Sequence, residues 1–274
     1  MKYNRILTVQ DISCVGQCSM TVAMPILSAC GHETCILPSA VLSTHTGGFK
    51  GFTFRDLTDD FGGIIAHWEK EGIDFDAVYT GYLGNAAQVE HVKRIAATLL
   101  KSGGKLIVDP AMADNGKLYT GFDEAYAAKM RELVAEADIV LPNVTEASLL
   151  TGTEYRESYD EEYTAVLTER LTAIGAKCVI LTGASYDADS TGVLVCENGL
   201  SRYYRHERIS RSFHGTGDIY SSAFTGMLMS GKDSFDAARI AADYTVDCIR
   251  STVDDPDHWY GVKFETCLNR LTRG

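Results

Sequence analysis

Short apolar segments recur along this chain, and each is followed by a polar or Gly/Pro turn. Three of them end on Asp109-Pro110, on Pro142-Asn143 and on Thr182-Gly183. Segments with helical periodicity fill the intervals between them. Strands that alternate with helices in this way form a parallel sheet with helices packed on both faces. The sequence therefore predicts an α/β fold, a three-layer sandwich with a central, mostly parallel sheet.

Element boundaries follow from periodicity and from turn residues. No repeat or linker interrupts the pattern, so we expect a single domain over residues 1–274. The Gly- and hydroxyl-rich segment Ser39–Phe52 is either an ordinary turn or a flap over a ligand, and we favour the flap. The further expectations are a first strand Arg5–Val9 ending at Gln10-Asp11, helices over Met20–Ala29 and Asp56–Gly72, a helix that Gly103 ends, a hairpin turning at Asn198-Gly199, and helix after Gly215.

The charge and hydropathy of the chain exclude several classes of partner. The net charge is −12, which argues against nucleic-acid and membrane-surface partners. There is no apolar run of about 18 residues and no basic-then-apolar start, so a cytoplasmic protein is expected. The eight cysteines contain no C-x-x-C pair, which favours reduced, buried thiols over a metal or redox role.

The segment Phe213–Asp218 precedes an apolar stretch that predicts a buried helix. Glycine lets the backbone approach a ligand without a Cβ in the way. The amides of Gly215, Thr216 and Gly217 would point outward at the helix N-terminus, where the helix dipole favours an anion. Asp218 would crowd a phosphate there, unless it takes a proton from a hydroxyl that attacks phosphorus. On these residues alone, a helix-capping role for Asp218 is the simpler interpretation.

Two further acids follow strand ends. Asp109 begins the segment Asp109–Lys117, and Glu146 lies near the start of a helix after Asn143. Glu146 is placed either to complete a capping box or to hold a hydrated Mg²⁺, which prefers one or two carboxylates together with phosphate oxygens. Ligands of parallel sheets bind beyond the carboxyl ends of the strands. The residues expected at that edge are Asp11, Tyr82, Asp109 and Asn143.

In this order, the motifs resemble the ribokinase-like superfamily and, within it, the pyridoxal kinase branch, over nearly the whole chain. Three motifs are specific to the superfamily: Asp-Pro-x-Met at Asp109–Met112, Pro-Asn-x-x-Glu at Pro142–Glu146 and Gly-Thr-Gly-Asp at Gly215–Asp218. A strand-ending Gln at Gln10–Gly16, His-Thr-Gly at His45–Gly47 and Gly-Tyr-Leu-Gly at Gly81–Gly84 complete the resemblance. The last two together indicate the vitamin B6 kinases.

The resemblance implies ATP-dependent phosphorylation of the 5′-hydroxymethyl group of pyridoxal, pyridoxine or pyridoxamine. Asp218 would accept the alcohol proton, and the amides of Gly215, Thr216 and Gly217 would stabilise the transferring phosphoryl group. Asp109 and Glu146 would organise Mg²⁺. The substrate pocket implied is Asp11, His45, Thr46, Gly47, Tyr82 and Asp218, and the nucleotide site is Asp109, Asn143, Glu146, Thr182, Gly215 and Gly217, with the hairpin near Tyr203–His206. A homodimer is also implied, and a monovalent cation such as K⁺ is left open.

The chain departs from this branch at Asp11-Ile12, where Ser-His is usual. An acid there could favour a protonated ring nitrogen or the amine of pyridoxamine. A hydroxymethylpyrimidine kinase is the first alternative, although its Gly-rich first turn is missing from Ser13–Ser19. A sugar kinase lacks support because the paired early glycines are absent. A non-catalytic ligand-binding homologue would be expected to have lost Asp218, Glu146 or the anion-binding glycines.

Overall fold

The computed structural model describes residues 3–272. Its strands are β1 (Arg5–Ser13), β2 (Glu33–Leu42), β3 (Phe54–Asp56), β4 (Phe75–Thr80), β5 (Leu100–Val108), β6 (Ala113–Asp114), β7 (Lys117–Leu118), β8 (Ile139–Val140), β9 (Cys178–Ala184), β10 (Ser190–Glu197) and β11 (Leu200–Glu207). Its helices are α1 (Met20–Ala29), α2 (Thr58–Glu71), α3 (Ala86–Thr98), α4 (Glu124–Glu136), α5 (Val144–Thr151), α6 (Glu161–Ile174), α7 (Thr216–Met229) and α8 (Ser234–Arg250), followed by a 3₁₀ helix (Phe264–Arg270).

One large sheet contains nine strands in the order β11-β10-β9-β8-β5-β4-β1-β2-β3. The six central strands, from β9 to β2, pair in parallel. Antiparallel pairing joins β3 to β2 at one margin and β10 and β11 at the other. The short strands β6 and β7 form a separate hairpin. The predicted, mostly parallel ribokinase-like sandwich is thereby confirmed.

Each face of the sheet carries its own hydrophobic core, because side chains along a strand alternate between faces. In β4, Val78 packs with residues of α2, α3, α4 and α6 on one face. Its neighbour Tyr79 packs with α1, α7 and α8 on the other face. Helix α7 lies within this second core, with Ile219 and Phe224 fully buried. The apolar composition of the predicted helix after Gly215 is explained by this central position.

Several predicted boundaries are wrong in ways that have a physical cause. β1 continues through Ser13, and a register shift between Gln10 and Ile12 places Asp11 within the strand instead of at its end. Gly103 does not end α3, which stops at Thr98. It has a positive φ of 77° inside β5, where the pairing with β4 is irregular. Glycine tolerates that conformation in a strand as readily as at a helix end.

The segment after Gly215 is not helical throughout. Residues 251–263, which include Pro256, form turns and bends between α8 and the 3₁₀ helix. Proline cannot continue a helix without losing a hydrogen bond. In the predicted flap, Ser39–Leu42 extend β2, so the irregular part begins at Ser43. None of the helices between residues 3 and 272 is long and apolar enough to cross a bilayer.

Candidate active site

The parallel strands end at one edge of the sheet, and polar residues collect there. Asn143 forms an isolated bridge with Thr182, which extends the pairing of β8 with β9 towards this edge. The N-terminus of α7 reaches the same place, because Ser221 contacts Asp109. The charges of Asp11 and Asp109 both raise the pKa of Asp218, so these acids lie near one another. The structure thus brings Asp11, Asp109 and Asp218, each singled out in the sequence, to one site.

The turn before α7 is closely packed against the loop that follows β1. Gly215 has a positive φ of 77°, and a Cβ atom there would lie 1.7 Å from the carbonyl oxygen of Gln17. Any side chain at this position would therefore be excluded twice, by conformation and by space. Gly217 has open space around its Cβ position. The helix N-terminus from Gly215 to Gly217 leaves backbone amides available to an anion.

Asp218 is partly exposed, yet it behaves as a buried acid. The pKa of Asp218 is raised to about 7, chiefly by burial and also by the charges of Asp109 and Asp11, while the amide of Ser19 opposes the shift. A base is most effective when its pKa is close to the working pH. The arrangement therefore suits Asp218 to accept a proton near neutrality.

Asp109 is held by two donors directly after β5. The hydroxyl of Ser221 donates to Asp109 Oδ2 at 2.6 Å, and the amide of Ala111 donates to Oδ1 at 3.1 Å. Burial nevertheless raises the pKa of Asp109. Because Ser221 is on α7, this hydrogen bond fixes the helix that carries Asp218 relative to the end of β5.

Glu146 forms the capping box of α5. Its Oε2 accepts from the amide of Asn143 at 2.9 Å, and the Asn143 side chain accepts from the amide of Glu146 at 2.9 Å. Its Oε1 accepts from the amide of Met112 at 2.9 Å. Burial, followed by the charge of Asp109, raises the pKa of Glu146. Two buried acids that repel each other fit a divalent cation, and the backbone bonds of Glu146 favour contact with Mg²⁺ through water.

The residues predicted for the substrate side include Asp11, His45 and Tyr82. Asp11 is buried and accepts from the Ser13 hydroxyl at 2.9 Å. Its charge affects the pKa of both His45 and Tyr82, so the three side chains lie near one another. The ring centroids of Tyr82 and Phe122 lie 5.3 Å apart, so the Phe122 ring packs against the Tyr82 ring. Thr46 is exposed next to His45, and Gly47 lies against His214.

A cavity of about 560 Å³ opens on the other side of the site. Asn143 and Thr182, both predicted for the nucleotide site, line this cavity together with Asp114, Tyr159 and Arg208. The hairpin residue Tyr203 lies behind this cavity. Its hydroxyl donates to the carbonyl of Ala184 at 3.0 Å, and its ring packs 4.9 Å from Tyr186 in the cavity wall.

Sequence reasoning missed two residues in contact with the acids. Ser221 carries no motif of its own, and its partner Asp109 is far away in the sequence. Ser19 is buried with φ 53° and ψ −127°, a conformation rare for any residue except glycine. Its hydroxyl stabilises charged Asp11, and its amide stabilises charged Asp218. Strained residues of this kind concentrate at functional sites.

Comparisons with known proteins place the chain in a family. A family model described as phosphomethylpyrimidine kinase matches residues 53–261. A pyridoxine/pyridoxal/pyridoxamine kinase of Bordetella avium is 29% identical over 261 residues, which cover 90% of this chain and 85% of that protein.

Two solved structures share the whole fold. A Bacteroides thetaiotaomicron protein, assigned as a phosphomethylpyrimidine kinase and crystallised with pyridoxal, has a TM-score of 0.92 and 35% identity, covering 98% of this chain and 96% of its own. Pyridoxal kinase from Lactobacillus plantarum has a TM-score of 0.90 and 31% identity, covering 98% and 97%. The chain belongs to the phosphomethylpyrimidine kinase family and is a pyridoxal kinase-like phosphotransferase that acts on an alcohol group.

Proposed function

We propose that this kinase transfers the γ-phosphoryl group of ATP to the 5′-hydroxymethyl group of a B6 vitamer. The observation that carries the proposal is the position of Asp218, directly after the Gly215–Gly217 turn, with a pKa raised to about 7. A base beside an anion-binding turn is the combination that transfer from a phosphate to an alcohol requires. That these residues lie along one edge of one sheet also supports a single kinase domain over residues 1–274.

In this proposal, Asp218 accepts the hydroxyl proton as the alcohol oxygen forms its bond to the γ-phosphorus. The bond from phosphorus to the bridging oxygen breaks, and ADP leaves. The amides of Gly215, Thr216 and Gly217 stabilise charge on the phosphoryl oxygens during transfer. Asp109 and Glu146 hold hydrated Mg²⁺, which neutralises phosphate charge when bound. Asn143 and Thr182 contact the nucleotide from the cavity wall.

The relatives support B6 vitamers as the acceptors. The Bordetella avium relative bears the name of a kinase for pyridoxine, pyridoxal and pyridoxamine, and the Bacteroides structure contains pyridoxal. In this chain, His45, Thr46, Gly47 and Tyr82 provide the ring pocket. A flat heterocycle packs well against aromatic side chains such as Tyr82.

An ADP-release assay with Mg²⁺-ATP tests the proposal directly. Pyridoxal, pyridoxamine, pyridoxine and hydroxymethylpyrimidine are offered in parallel, and Asp218→Asn is the control. We expect turnover of at least one vitamer, and a fall in kcat of about 10²–10⁴-fold in the variant. If no vitamer is phosphorylated by protein that binds ATP, the proposal is wrong.

The second candidate is a hydroxymethylpyrimidine kinase. The description of the matching family model favours it. Both acceptors are flat rings with a hydroxymethyl group, so the same pocket chemistry applies. Turnover of the pyrimidine alone in the same assay would establish this candidate in place of the first.

Asp11 supports a preference among the vitamers. Its carboxyl group is buried and accepts a 2.9 Å hydrogen bond from the Ser13 hydroxyl. Burial raises the pKa of this group. A cationic group on the substrate would stabilise this acid, because buried charges require a partner. We therefore expect a preference for the amine of pyridoxamine or for a protonated ring nitrogen. An unchanged ratio of pyridoxamine to pyridoxal turnover in Asp11→Ser would refute this assignment.

The homodimer that the resemblance implies has support at the edge of the sheet. β3 is the margin strand and is exposed along its length, with Phe54 48% exposed. An edge strand presents unpaired backbone groups to a second chain, and here Phe54 adds an apolar side chain next to Arg55 and Asp56. Light scattering should give twice the chain mass for the wild type, and a lower mass for Phe54→Lys.

A K⁺ requirement is tested by replacing K⁺ with tetramethylammonium in the kinase assay.

A further inference from the structure

The segment Val253–Val262, here called the C-terminal strap, lies against the irregular part of the flap, residues 43–53. It joins α8 to the 3₁₀ helix. The two segments are separated by about 200 residues in sequence. Neither segment's sequence predicts that it contacts the other. Their contact is specific and aromatic, and it lies beside the proposed acceptor pocket.

Phe49 of the flap packs on Trp259 of the strap, with ring centroids 4.7 Å apart. Nε2 of His45 lies 2.7 Å from the carbonyl oxygen of Tyr260, and Nδ1 of His45 lies 3.0 Å from the amide of Gly47. A carbonyl can only accept and an amide can only donate, so Nε2 carries the proton and Nδ1 is the acceptor. The strap therefore fixes the ring orientation and tautomer of His45, which faces Asp11.

The strap is itself anchored at both ends. The guanidinium of Arg211 donates to the carbonyl oxygens of Val253 at 2.7 Å and Asp255 at 3.1 Å. Lys263 forms an ion pair with Asp255 at 2.5 Å. At the other end, a Cβ atom on Gly261 would lie 2.6 Å from the Cβ of Gln17, in the loop after β1. The strap is thus connected to the segment that leads to the anion-binding turn and to the loop that packs on it.

The flap fits against these elements without spare room. A Cβ atom on Gly47 would lie 2.5 Å from the ring of His214, which directly precedes Gly215. A Cβ atom on Gly48, whose φ is 83°, would lie 2.9 Å from the ring of Trp259. The flap is therefore packed between the anion-binding turn and the strap.

We propose that the C-terminal strap holds the flap closed over the alcohol acceptor, and that Trp259 is the positioning residue for this contact. Trp259 is 45% exposed, and its ring packs against Phe49 with the centroids 4.7 Å apart. The strap determines the position of the His45 ring through the Phe49 ring and the carbonyl oxygen of Tyr260. The assignment of the pocket to the acceptor rests on the proposed function.

Two variants at one position test the inference. Trp259→Ala removes the ring, and Trp259→Phe keeps a ring that can pack on Phe49. Leu200→Ala is the control, because Leu200 is 71% exposed at the start of β11 and outside the site. Hydrogen–deuterium exchange of residues 43–53 and the KM values for both substrates are measured in each protein.

In Trp259→Ala, we expect faster exchange in the flap and a KM for the alcohol raised about tenfold, with the KM for ATP unchanged. Trp259→Phe should restore most of both properties, and Leu200→Ala should match the wild type. Unchanged flap exchange in Trp259→Ala overturns the inference, and so does an equal rise in both KM values. If the wild type phosphorylates no vitamer, the proposed function fails, while flap exchange still decides whether the strap holds the flap.

Discussion

The hydroxyl of Ser221 donates a 2.6 Å hydrogen bond to Asp109, across 112 positions of sequence. It connects the helix bearing the proposed base to the strand end bearing the proposed Mg²⁺ ligand. Burial raises the pKa of both Asp109 and Asp218, so their ionised forms are unfavourable in the site and a bound cation would stabilise them. Such a site depends on small donors that hold each carboxylate in place.

Ser221→Ala should lower kcat/KM by about tenfold, since a hydrogen bond to a charged group contributes about 1.5–3 kcal/mol. The reason is that Asp109 loses the donor that fixes it relative to Asp218. The matched control is Ser222→Ala, because the side-chain contact that Ser222 makes within residues 3–272 is a long one, 3.5 Å from the hydroxyl of Tyr79. Steady-state kinetics with varied Mg²⁺ measure the effect. Equal losses in the two variants would contradict a specific role for Ser221.

Asp218→Asn should make the folded protein more stable at high pH. Because the pKa of Asp218 is about 7 when folded, the folded state keeps a proton between about pH 4 and 7 that the unfolded state has lost. Wild-type stability from this group therefore falls as pH rises through that window. Asparagine does not titrate, so the variant should gain on the order of 2 kcal/mol above pH 7, allowing for partial exposure.

Urea unfolding of both proteins near pH 4 and near pH 8 measures this difference. The gain should vanish at the lower pH, where the wild-type acid is protonated in both states. A stability difference that is the same at both pH values would mean that Asp218 is not a desolvated acid.

The acids and glycines of the site could be predicted because each lies in a short contiguous motif. The neighbouring residues are enough to indicate a turn, an acid or a helix N-terminus at Gly215, Asp218, Asp109 and Glu146. The alternation of strands and helices fixed the sheet for a similar reason, since burial on two faces imposes a period on the sequence.

The contacts that hold Asp109 and the flap could not be predicted. Ser221 contacts Asp109 and Trp259 contacts Phe49, in each case between segments far apart in sequence, and serine or tryptophan alone indicates no particular partner. Gly103 shows the opposite problem, because a positive φ serves a helix end and an irregular strand equally well. The capping box at Glu146 was an open alternative in the sequence, and the hydrogen bonds show that it forms.

The activity of the wild type should increase with pH through about 7, because Asp218 must be ionised to act as a base. Asp11→Asn should move this midpoint to lower pH, since the charge of Asp11 contributes to the raised pKa of Asp218. The profile of kcat/KM against pH is the measurement. A flat profile, or a midpoint that Asp11→Asn moves upward, would contradict the assignment of the base.

Ser19→Gly should be more stable than Ser19→Ala. The backbone of Ser19, at φ 53° and ψ −127°, costs about 1–3 kcal/mol for a residue with a side chain, and glycine relieves this. After the greater unfolded-state entropy of glycine, an advantage of about 1 kcal/mol over alanine remains. Ser19→Ala loses the same hydroxyl but keeps the strain, so the difference in urea midpoint between the variants isolates the backbone. No difference would show that Ser19 is unstrained.

The two glycines of the anion-binding turn should respond in opposite ways to the same added methyl group. In Gly215→Ala, the new Cβ would lie 1.7 Å from the Gln17 carbonyl at a positive φ, so the turn must shift and the protein should lose stability. In Gly217→Ala, the Cβ meets no protein atom, and alanine in a helix is better by about 0.5–1 kcal/mol, so stability should be kept or raised. Activity should nevertheless fall in Gly217→Ala, because the methyl group occupies the space that a phosphoryl group needs in order to reach the backbone amides. Thermal unfolding and kcat measured on both variants separate the two effects. A Gly217→Ala protein with full activity would mean that the phosphoryl group does not approach this turn.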